Sequence, residues 1–435
     1  MAHVAYGGAV RRRPAPGFSR PLGIATRSLV AGGGVGIDFR GPKPADCMAM
    51  TASEPKLDIT LGVEEEFFLV NPETRNLESD PDPRIFEACE RNRGPHTVSH
   101  EVLRTQIETS TKVCHSVAEA CGAVRETRRF VIEAAAQYGL AVLAASTHPF
   151  AEWKAQLITP RERYERFAVT FQESVRRQIV GGMHIHAGFG DPDSRVRVMT
   201  AMRQYLPLFH ALSTSSPFHG GRETGFKSHR LSIMGVLPRT SLPRPLNSWT
   251  EYEDLLAAYQ RMKFIRSGSE LWWDIRPSQH FPTVEIRICD ICPRLDDMGG
   301  IVALYAALIR RLLRLDSAGQ LPEDPPTEII AENRWLAQRY GVLAFLGDVY
   351  GGEGKVDIED YAARLVEEVA QDARELGCEQ ELHHVLNVIR DGSSADRQLD
   401  LFRLRRLEGD TEEEALRAVV DLVIAETREG VDAET

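Results

Sequence analysis

The spacing of hydrophobic and polar positions changes part-way along this chain. Up to about residue 290, short hydrophobic segments rich in β-branched and aromatic residues alternate with longer segments in which hydrophobic residues recur at helical spacing. Beyond Asp296 the spacing is helical only. This pattern predicts an α+β protein with strands in its first two thirds and a helical C-terminal part from about residue 299.

The pattern also gives approximate bounds for the elements, several of which end at turn-forming or helix-ending residues. The predicted strands cover residues 57–70, 101–111, 140–146, 181–190, 271–277 and 283–290. The predicted helices cover residues 117–138, 161–180, 194–214, 301–315, 328–340, 358–375 and 412–427. Thr411 and Glu414 have the spacing of a capping box at the start of the last helix.

Residues 1–56 differ in composition from the rest of the chain. They contain the cluster Arg11-Arg12-Arg13 and a run of glycines, and their first acidic residue is Asp38. This composition predicts disorder. A natural start at Met48 or Met50 would make most of the segment non-native. We therefore expect a disordered or non-native extension over residues 1–56 and a single folded domain over residues 57–435.

The composition argues against nucleic-acid-binding, membrane-spanning and disulfide-rich classes of protein. The chain has 435 residues, of which 43% are hydrophobic, and a formal net charge of -11, which argues against a nucleic-acid-binding protein because such proteins carry a basic patch. No segment approaches the ~18 uninterrupted apolar residues of a membrane span. Seven scattered cysteines do not form a disulfide framework and favour a reducing compartment. We expect a cytoplasmic protein with no membrane or nucleic-acid partner.

The first predicted strand carries three consecutive glutamates among hydrophobic residues. Successive side chains of a strand point to opposite faces, so Glu64 and Glu66 share one face and Glu65 lies on the other. Two neighbouring carboxylates repel each other unless a cation or a shared proton relieves the repulsion. Two interpretations remain open from these residues alone: oxygen ligands for Mg²⁺ or Mn²⁺, or ordinary acids on an exposed edge strand.

Later predicted strands add further groups of the same kind. If these strands form one antiparallel sheet, their side chains can converge on one face, and a set made mostly of carboxylates suits Mg²⁺ or Mn²⁺ better than zinc. Divalent ions flanked by arginines form a site for a nucleotide polyphosphate, which predicts phosphoryl transfer without a P-loop. The residues concerned are Glu108, His184, His186, Glu285 and Arg287.

Six motifs in this order resemble the glutamate-cysteine ligase superfamily, and in particular its bacterial carboxylate-amine ligases. The resemblance covers roughly residues 57–340 and excludes the N-terminal extension. The motifs are Gly62-Val63-Glu64-Glu65-Glu66-Phe67, Gln106-Ile107-Glu108, Ser146-Thr147-His148-Pro149-Phe150, Gly182-Met183-His184-Ile185-His186, the loop from Ser216-Pro217-Phe218 to Arg230, and Glu285-Ile286-Arg287-Ile288-Cys289-Asp290-Ile291-Cys292-Pro293.

The resemblance implies a fold, a reaction and a set of site residues. The implied fold is like that of glutamine synthetase, a curved antiparallel sheet around the active site with helices packed outside. The implied reaction is an ATP-dependent ligation in which glutamate forms an acyl phosphate that an amine, such as cysteine, converts to an amide. By this resemblance Arg287 and Arg230 bind phosphate or substrate carboxylate. The implied metal ligands are Glu64, Glu66, Glu108, His184 and Glu285.

Several residues and functions are less firmly placed by the resemblance. His148 is expected either to act in catalysis or only to fix its loop. Lys227, Asn333 and Arg334 are further candidates for nucleotide binding, and His186 is either a site residue or a buried structural histidine. Two other functions stay open, a metal-dependent amide hydrolase and a non-catalytic protein that binds a nucleotide or small acid. A homodimer is expected for this group.

Overall fold

The computed structural model describes residues 58–349, 352 and 354–432 of the chain. The predicted N-terminal extension therefore lies outside the described residues. The strands are β1 (Thr60–Val70), β2 (Thr97–His100), β3 (Gln106–Ser110), β4 (Ala141–Leu143), β5 (Met183–Gly188), β6 (Phe218–His219), β7 (Arg222–Glu223), β8 (Thr240–Ser241), β9 (Trp272–Trp273), β10 (Ile275–Pro277), β11 (Thr283–Ile286), β12 (Phe345–Gly347) and β13 (Lys355–Asp357).

Helices surround these strands and make up the C-terminal part of the chain. Within the described residues, none of them is long and apolar enough to cross a bilayer. The helices are α1 (Arg84–Asn92), α2 (Val117–Ala136), α3 (Glu162–Phe171), α4 (Glu173–Arg176), α5 (Pro192–Met202), α6 (Leu206–Ser213), α7 (Arg230–Met234), α8 (Trp249–Arg261), α9 (Leu295–Ser317), α10 (Thr327–Tyr340), α11 (Ile358–Leu376), α12 (Glu379–Asp391), α13 (Ser394–Glu408) and α14 (Glu412–Arg428).

A seven-stranded antiparallel sheet lies at the centre of the fold. Its strand order is β10-β11-β5-β1-β3-β2, and β4 pairs with the C-terminal end of β1. β1 is long because it pairs with three neighbours, β3, β4 and β5, along its eleven residues. The central position of β1 rules out the interpretation of its glutamates as acids on an exposed edge strand.

Helix α9 connects the sheet to the helical C-terminal part. Every residue from Asp297 to Ile309 is buried, as expected for a helix that is covered on all sides. It packs against α2 and α5 as well as against α11 and α12. The predicted α+β class, with an antiparallel sheet and a helical C-terminal region, is confirmed. The predicted capping box at Thr411 and Glu414 is also present.

Glu65, on the face of β1 opposite to Glu64 and Glu66, forms a buried ion pair. Its carboxylate accepts hydrogen bonds from Nε and Nη2 of Arg128 on α2, and the exposed fractions of the two side chains are 1% and 0%. The same guanidinium donates to the main-chain oxygens of Cys292 and Pro293. This pair joins the sheet to α2 and to the segment that enters α9.

Some predicted elements are interrupted in the structure. Residues 271–277 were predicted as one strand but form β9 and β10, which belong to different sheets. They separate at Asp274, whose main-chain oxygen accepts hydrogen bonds from the amides of Arg287 and Ile288. The predicted helix over residues 161–180 is broken at Gln172, which has a φ of 51°.

Candidate active site

One face of the central sheet collects the acidic and histidine side chains. Directly opposed residues of an antiparallel pair have neighbouring side chains on the same face, so the strand register alone brings these groups together. The opposed pairs are Glu66 with Glu108, Glu64 with His184, and Glu285 with His186.

The first cluster on this face consists of Glu64, His184 and Glu285, and we call it the His–Glu group. One ligand atom from each residue lies within 4.8 Å of the others. His184 Nδ1 is 3.1 Å from Glu64 Oε2 and 3.9 Å from Glu285 Oε1. Both Glu285 and His184 are almost fully buried. These donors are close enough to share one cation.

The second cluster consists of Glu66, Glu101 and Glu108, and we call it the tricarboxylate group. Its ligand atoms also lie within 4.8 Å of one another. His184 lies between the two groups, because its Nδ1 faces Glu64 while its Nε2 is 3.9 Å from Glu66 Oε1. Two neighbouring cation sites can therefore form on this face.

Glu101 is a member of the tricarboxylate group that the sequence did not identify. Residues 101–111 were predicted as one strand, and seven residues of strand would separate Glu101 from Glu108 by roughly 23 Å. In the structure β3 begins only at Gln106, and residues 101–105 turn back from the end of β2. This turn brings Glu101 beside Glu108.

Two arginines hold Glu285 at the edge of the His–Glu group. Arg276 Nε donates to Glu285 Oε2 at 2.8 Å, and Arg287 Nη1 donates to Glu285 Oε1. Arg276 was missed in the sequence, although its position opposite Glu285 follows from the β10–β11 register. Burial opposes ionisation of Glu285, but Arg276, Arg287 and the two histidines outweigh it and hold the pKa of this carboxyl well below its usual value.

Arg230 approaches the same site from the start of α7. It is 2% exposed, and its guanidinium donates to the main-chain oxygens of Arg287 and Ile288 at 3.2 to 3.4 Å. The guanidinium lies against Gly182, where an added Cβ would come within 2.4 Å of Nη2. A side chain at position 182 would therefore force the guanidinium of Arg230 to move from this position.

A buried aspartate holds both ends of the loop that carries Arg230. Asp290 accepts hydrogen bonds from the Ser215 amide and the Ser216 hydroxyl at one end of the loop, and from the Ser228 hydroxyl at the other end. Ser216 Oγ in turn accepts from the amide of Arg230 at 3.2 Å. The loop is thus fixed by the segment that also carries Glu285.

The residues of the two groups other than Glu285 line one cavity of about 460 Å³. Carboxylate, imidazole and guanidinium side chains form the wall on the side of the sheet. Aromatic side chains from α3 and β9 form the rest of the wall. The charged and imidazole side chains of the wall include Glu64, Glu66, Glu101, Glu108, His184, Arg230, Arg276 and Arg287, and the aromatic ones are Tyr164, Phe167, Phe171 and Trp272. A ligand in this cavity meets cation sites and arginines together.

The electrostatics of the cavity fit bound divalent cations. Burial raises the pKa of Glu66, and burial together with Glu101, Glu64 and Glu66 raises the pKa of Glu108 well above its usual value. His184, whose pKa is lowered by burial and by Arg287, is neutral and can act as a ligand. Its buried Nε2 has no hydrogen-bond partner among the described residues. Cations would relieve both the crowded carboxylates and this unpartnered nitrogen.

Residues 60–421 match the family model of glutamate-cysteine ligase family 2. The chain belongs to this family. A relative from Rhodospirillum rubrum, described as a candidate glutamate–cysteine ligase 2, is 44% identical over 85% of this chain and 95% of its own length. A relative with the same description from a Jannaschia strain is 41% identical over 86% of this chain and 97% of its own length. The resemblance drawn from the motifs is confirmed, and the protein is a ligase that forms a C–N bond.

Solved structures of ligases share the fold of this family member. Glutamate–cysteine ligase from Francisella tularensis in complex with AMP has a TM-score of 0.64 at 15% identity, over 87% of this chain and 91% of that chain. A bifunctional glutathione synthetase from Pasteurella multocida has a TM-score of 0.63 at 14% identity, over 86% of this chain and 53% of that chain. At these identities the similarity shows the fold alone.

Family membership decides between the functions that the sequence left open. The His-x-His strand with nearby acids was also compatible with a metal-dependent amide hydrolase, and a non-catalytic binding protein was a further alternative. The glutamate-cysteine ligase family assigns a C–N ligase instead. The His-x-His pair lies on β5 in the middle of the sheet, beside the acids of β1 and β11.

His148 does not line the cavity of this ligase. It is 1% exposed, and its Nδ1 accepts a hydrogen bond from the amide of Ala151 at 3.0 Å. Its Nε2 lies 2.8 Å from the main-chain oxygen of Arg75 and donates to it. These contacts agree with the alternative that His148 fixes its loop rather than takes part in catalysis.

We expect His148 to make stability depend on pH. Burial lowers the pKa of His148 from 6.5 to about 4 in the folded protein, so the unfolded chain binds more protons between these values and stability falls as the pH falls from 6.5 towards 4. The loss between pH 7.5 and pH 5 should be about 2 kcal/mol. Urea denaturation at both pH values measures it, with His148→Asn as the control because Asn keeps the acceptor but cannot titrate. An equal pH dependence in both proteins would contradict this assignment.

The structure does not bring Lys227, Asn333 or Arg334 to the cavity. Lys227 Nζ pairs with Asp396 on α13, and both ends of the Asn333 amide are bonded to the main chain of Gly347. Arg334 forms two hydrogen bonds with Asp274, at 2.7 and 3.1 Å. All three side chains make contacts that hold elements of the fold together.

Proposed function

We propose that this member of the glutamate-cysteine ligase family joins the γ-carboxylate of glutamate to an amine such as cysteine, at the expense of ATP and through an acyl phosphate. The observation that carries the proposal is that two cation groups and several arginines, among them Arg230 and Arg287, meet at one cavity of a C–N ligase. A carboxylate alone is a poor acyl donor, and phosphorylation gives it a good leaving group.

The residues of the two groups would hold Mg²⁺ or Mn²⁺. Bound there, the ions would neutralise phosphoryl oxygens and orient them for in-line transfer. Glu64, His184 and Glu285 would supply one site, and Glu66, Glu101 and Glu108 the other.

The arginines would bind the anionic parts of the substrates. Arg287 and Arg230 line the cavity on the side of the His–Glu group and the tricarboxylate group, where a guanidinium can donate to a phosphate or to a substrate carboxylate. Arg276 acts through Glu285, because its Nη1 is already bonded to the main-chain oxygens of Ser269 and Leu271. It holds the carboxylate in place.

The reaction proceeds in two displacements. An oxygen of the glutamate γ-carboxylate forms a bond to the γ-phosphorus of ATP, and the bond to ADP breaks. The nitrogen of the amine then attacks the acyl carbon, phosphate leaves, and the nitrogen loses a proton. The cavity wall positions the two anions against each other, which lowers the entropic cost of the first displacement.

A substrate panel tests the proposal. The protein is incubated with ATP, Mg²⁺, glutamate and a series of amines that includes cysteine, and phosphate release and product mass are measured. We expect phosphate release that requires glutamate, and a product heavier than the amine by one glutamyl group. Phosphate release from no combination would reject the ligase proposal, and hydrolysis of an amide without ATP would support a different activity.

We further propose that residues 57–435 form one catalytic domain and that the protein is a cytoplasmic homodimer. The domain proposal is supported by the family match over residues 60–421. Light scattering of the purified protein coupled to size-exclusion chromatography measures the assembly. A mass equal to that of the 48.6 kDa chain would contradict the dimer.

A further inference from the structure

A second imidazole lies beside the His–Glu group and has no role in the mechanism above. His186 follows His184 by two residues on β5, so both rings project from the same face. His186 Nε2 is 3.4 Å from Glu64 Oε1 and 4.0 Å from Glu285 Oε1. The side chain is 11% exposed, and Nε2 has no hydrogen-bond partner among the described residues.

The geometry of these donors matches ligands of a single ion. Ligand atoms about 2.1 Å from one ion lie ~3.0 Å apart when adjacent and ~4.2 Å apart when opposite in an octahedron. The four distances from the imidazoles of His184 and His186 to the oxygens of Glu64 and Glu285 are 3.1, 3.9, 3.4 and 4.0 Å. All four lie between the adjacent and the opposite separations. The two Glu64 distances end on different oxygens, Oε2 for His184 and Oε1 for His186.

A neighbouring hydroxyl orients the second imidazole. His186 Nδ1 is 3.0 Å from Thr283 Oγ1. If Nδ1 carries the proton and donates it to the hydroxyl, the lone pair of Nε2 points at the two carboxylates. Metal-binding histidines are commonly oriented in this way by a hydrogen bond from their other ring nitrogen.

The two groups therefore differ in donor chemistry. The tricarboxylate group has three carboxylates, from Glu66, Glu101 and Glu108, and the imidazole nitrogen beside it, His184 Nε2, is 3.9 Å from Glu66 Oε1. The His–Glu group with His186 offers two nitrogens and two carboxylates. Oxygen donors suit Mg²⁺, whereas imidazole nitrogen favours first-row transition ions.

We propose that the His–Glu group, with His186 as an additional ligand, binds a first-row divalent transition ion in preference to Mg²⁺, while the tricarboxylate group takes Mg²⁺. This inference shares one assumption with the proposed function, namely that both groups bind cations. Cation binding can be measured without any substrate, so the two proposals fail separately.

Mn²⁺ serves as the probe because its binding is visible by electron paramagnetic resonance. The full chain, freed of metal with a chelator, is titrated with Mn²⁺ in the absence of nucleotide and then with a large excess of Mg²⁺. We expect one Mn²⁺ per chain to remain bound under Mg²⁺ competition. Pulsed measurements should show ¹⁴N couplings from imidazole on this retained ion.

Two matched variants assign the retained ion to its group. His186→Gln should weaken retained Mn²⁺ binding by about tenfold or more and reduce the ¹⁴N couplings. Glu101→Gln changes the tricarboxylate group alone and should leave the retained Mn²⁺ and its couplings unchanged. Circular dichroism and thermal unfolding establish that both variants are folded.

The proposal is overturned if Mg²⁺ displaces all Mn²⁺ with equal ease, or if the retained ion shows no ¹⁴N coupling. It is also overturned if folded His186→Gln binds Mn²⁺ like the unaltered protein. If His186→Gln fails to fold, the number of couplings in the unaltered protein decides the matter, because His184 alone supplies one ¹⁴N nucleus and the proposal requires two. A protein that retains Mn²⁺ selectively but releases no phosphate in the substrate panel would keep this inference and lose the ligase proposal.

Discussion

Replacing Glu66 with glutamine is expected to abolish turnover without destabilising the metal-free protein. The variant removes one oxygen ligand of the tricarboxylate group, and we expect kcat to fall about 100-fold or more. Its folded state should be at least as stable as before, because Glu66 is crowded by Glu101 and its pKa is already raised by burial. A neutral amide relieves that crowding. Glutamate-dependent phosphate release and urea denaturation in the presence of a chelator measure the two effects.

The control is Glu133→Gln, which makes the same chemical change at an exposed position of α2. It should alter neither turnover nor stability. Glu285→Gln should also lose turnover, but it leaves Arg276 and Arg287 without their carboxylate and should be less stable than Glu66→Gln. Retained activity in both Glu66→Gln and Glu285→Gln would contradict the cation role of these residues.

Replacing the adjacent Glu65 with glutamine should have the opposite outcome, a loss of stability with little direct effect on the chemistry. Its carboxylate is buried against Arg128, and breaking a buried pair by removing one partner typically costs about 3–5 kcal/mol. We expect a decrease of this size in the free energy of unfolding, measured by urea denaturation. Turnover per folded molecule should change little, since Glu65 faces away from the cavity.

The double variant Glu65→Leu with Arg128→Met provides the comparison. It removes both buried charges, so it should be more stable than Glu65→Gln. Part of the cost will remain, because Arg128 also donates to the main-chain oxygens of Cys292 and Pro293. A decrease of less than about 1 kcal/mol for Glu65→Gln would show that the pair does not hold the sheet to α2.

The sequence predicted the parts of the site that depend on strand periodicity. The alternation of faces on β1 separated Glu64 and Glu66 from Glu65, and the same alternation placed His184 with His186 on β5. What converts these local patterns into a site is the pairing of strands that are far apart in the chain. The motifs and their order indicated that pairing through family resemblance, since periodicity carries no information on which strands are neighbours.

Glu101 and Arg276 were missed for different physical reasons. Glu101 reaches Glu108 only because the chain turns between β2 and β3, and the hydrophobic pattern of residues 101–111 contains no strong signal for that turn. Arg276 lies on a strand that was predicted, but its opposition to Glu285 depends on the register of β10 against β11. Register is set by the turn and by packing, and neither is visible in single residues.

Other candidates show the limit of composition as a guide to a binding role. Lys227, Asn333 and Arg334 have side chains that suit nucleotide binding, yet each one bonds to another segment of the chain. The partner of Arg334, for example, is Asp274, 60 positions earlier in the chain. A polar side chain can bind a ligand only if the fold brings it to the cavity, and none of these three side chains lines it.

The loop that Asp290 fixes at both ends provides a site at which the protein can be labelled. Between its two anchors the chain forms the hairpin of β6 and β7, in which Gly220 and Gly221 have positive φ and no neighbouring atoms where a side chain would begin. Gly220 and Gly221 form its tip, and Arg222 and Glu223 on β7 are exposed. We expect a short peptide tag inserted between Gly220 and Gly221 to leave Arg230 in place, because Asp290 holds Ser215 and Ser216 at one end of the loop and Ser228 at the other.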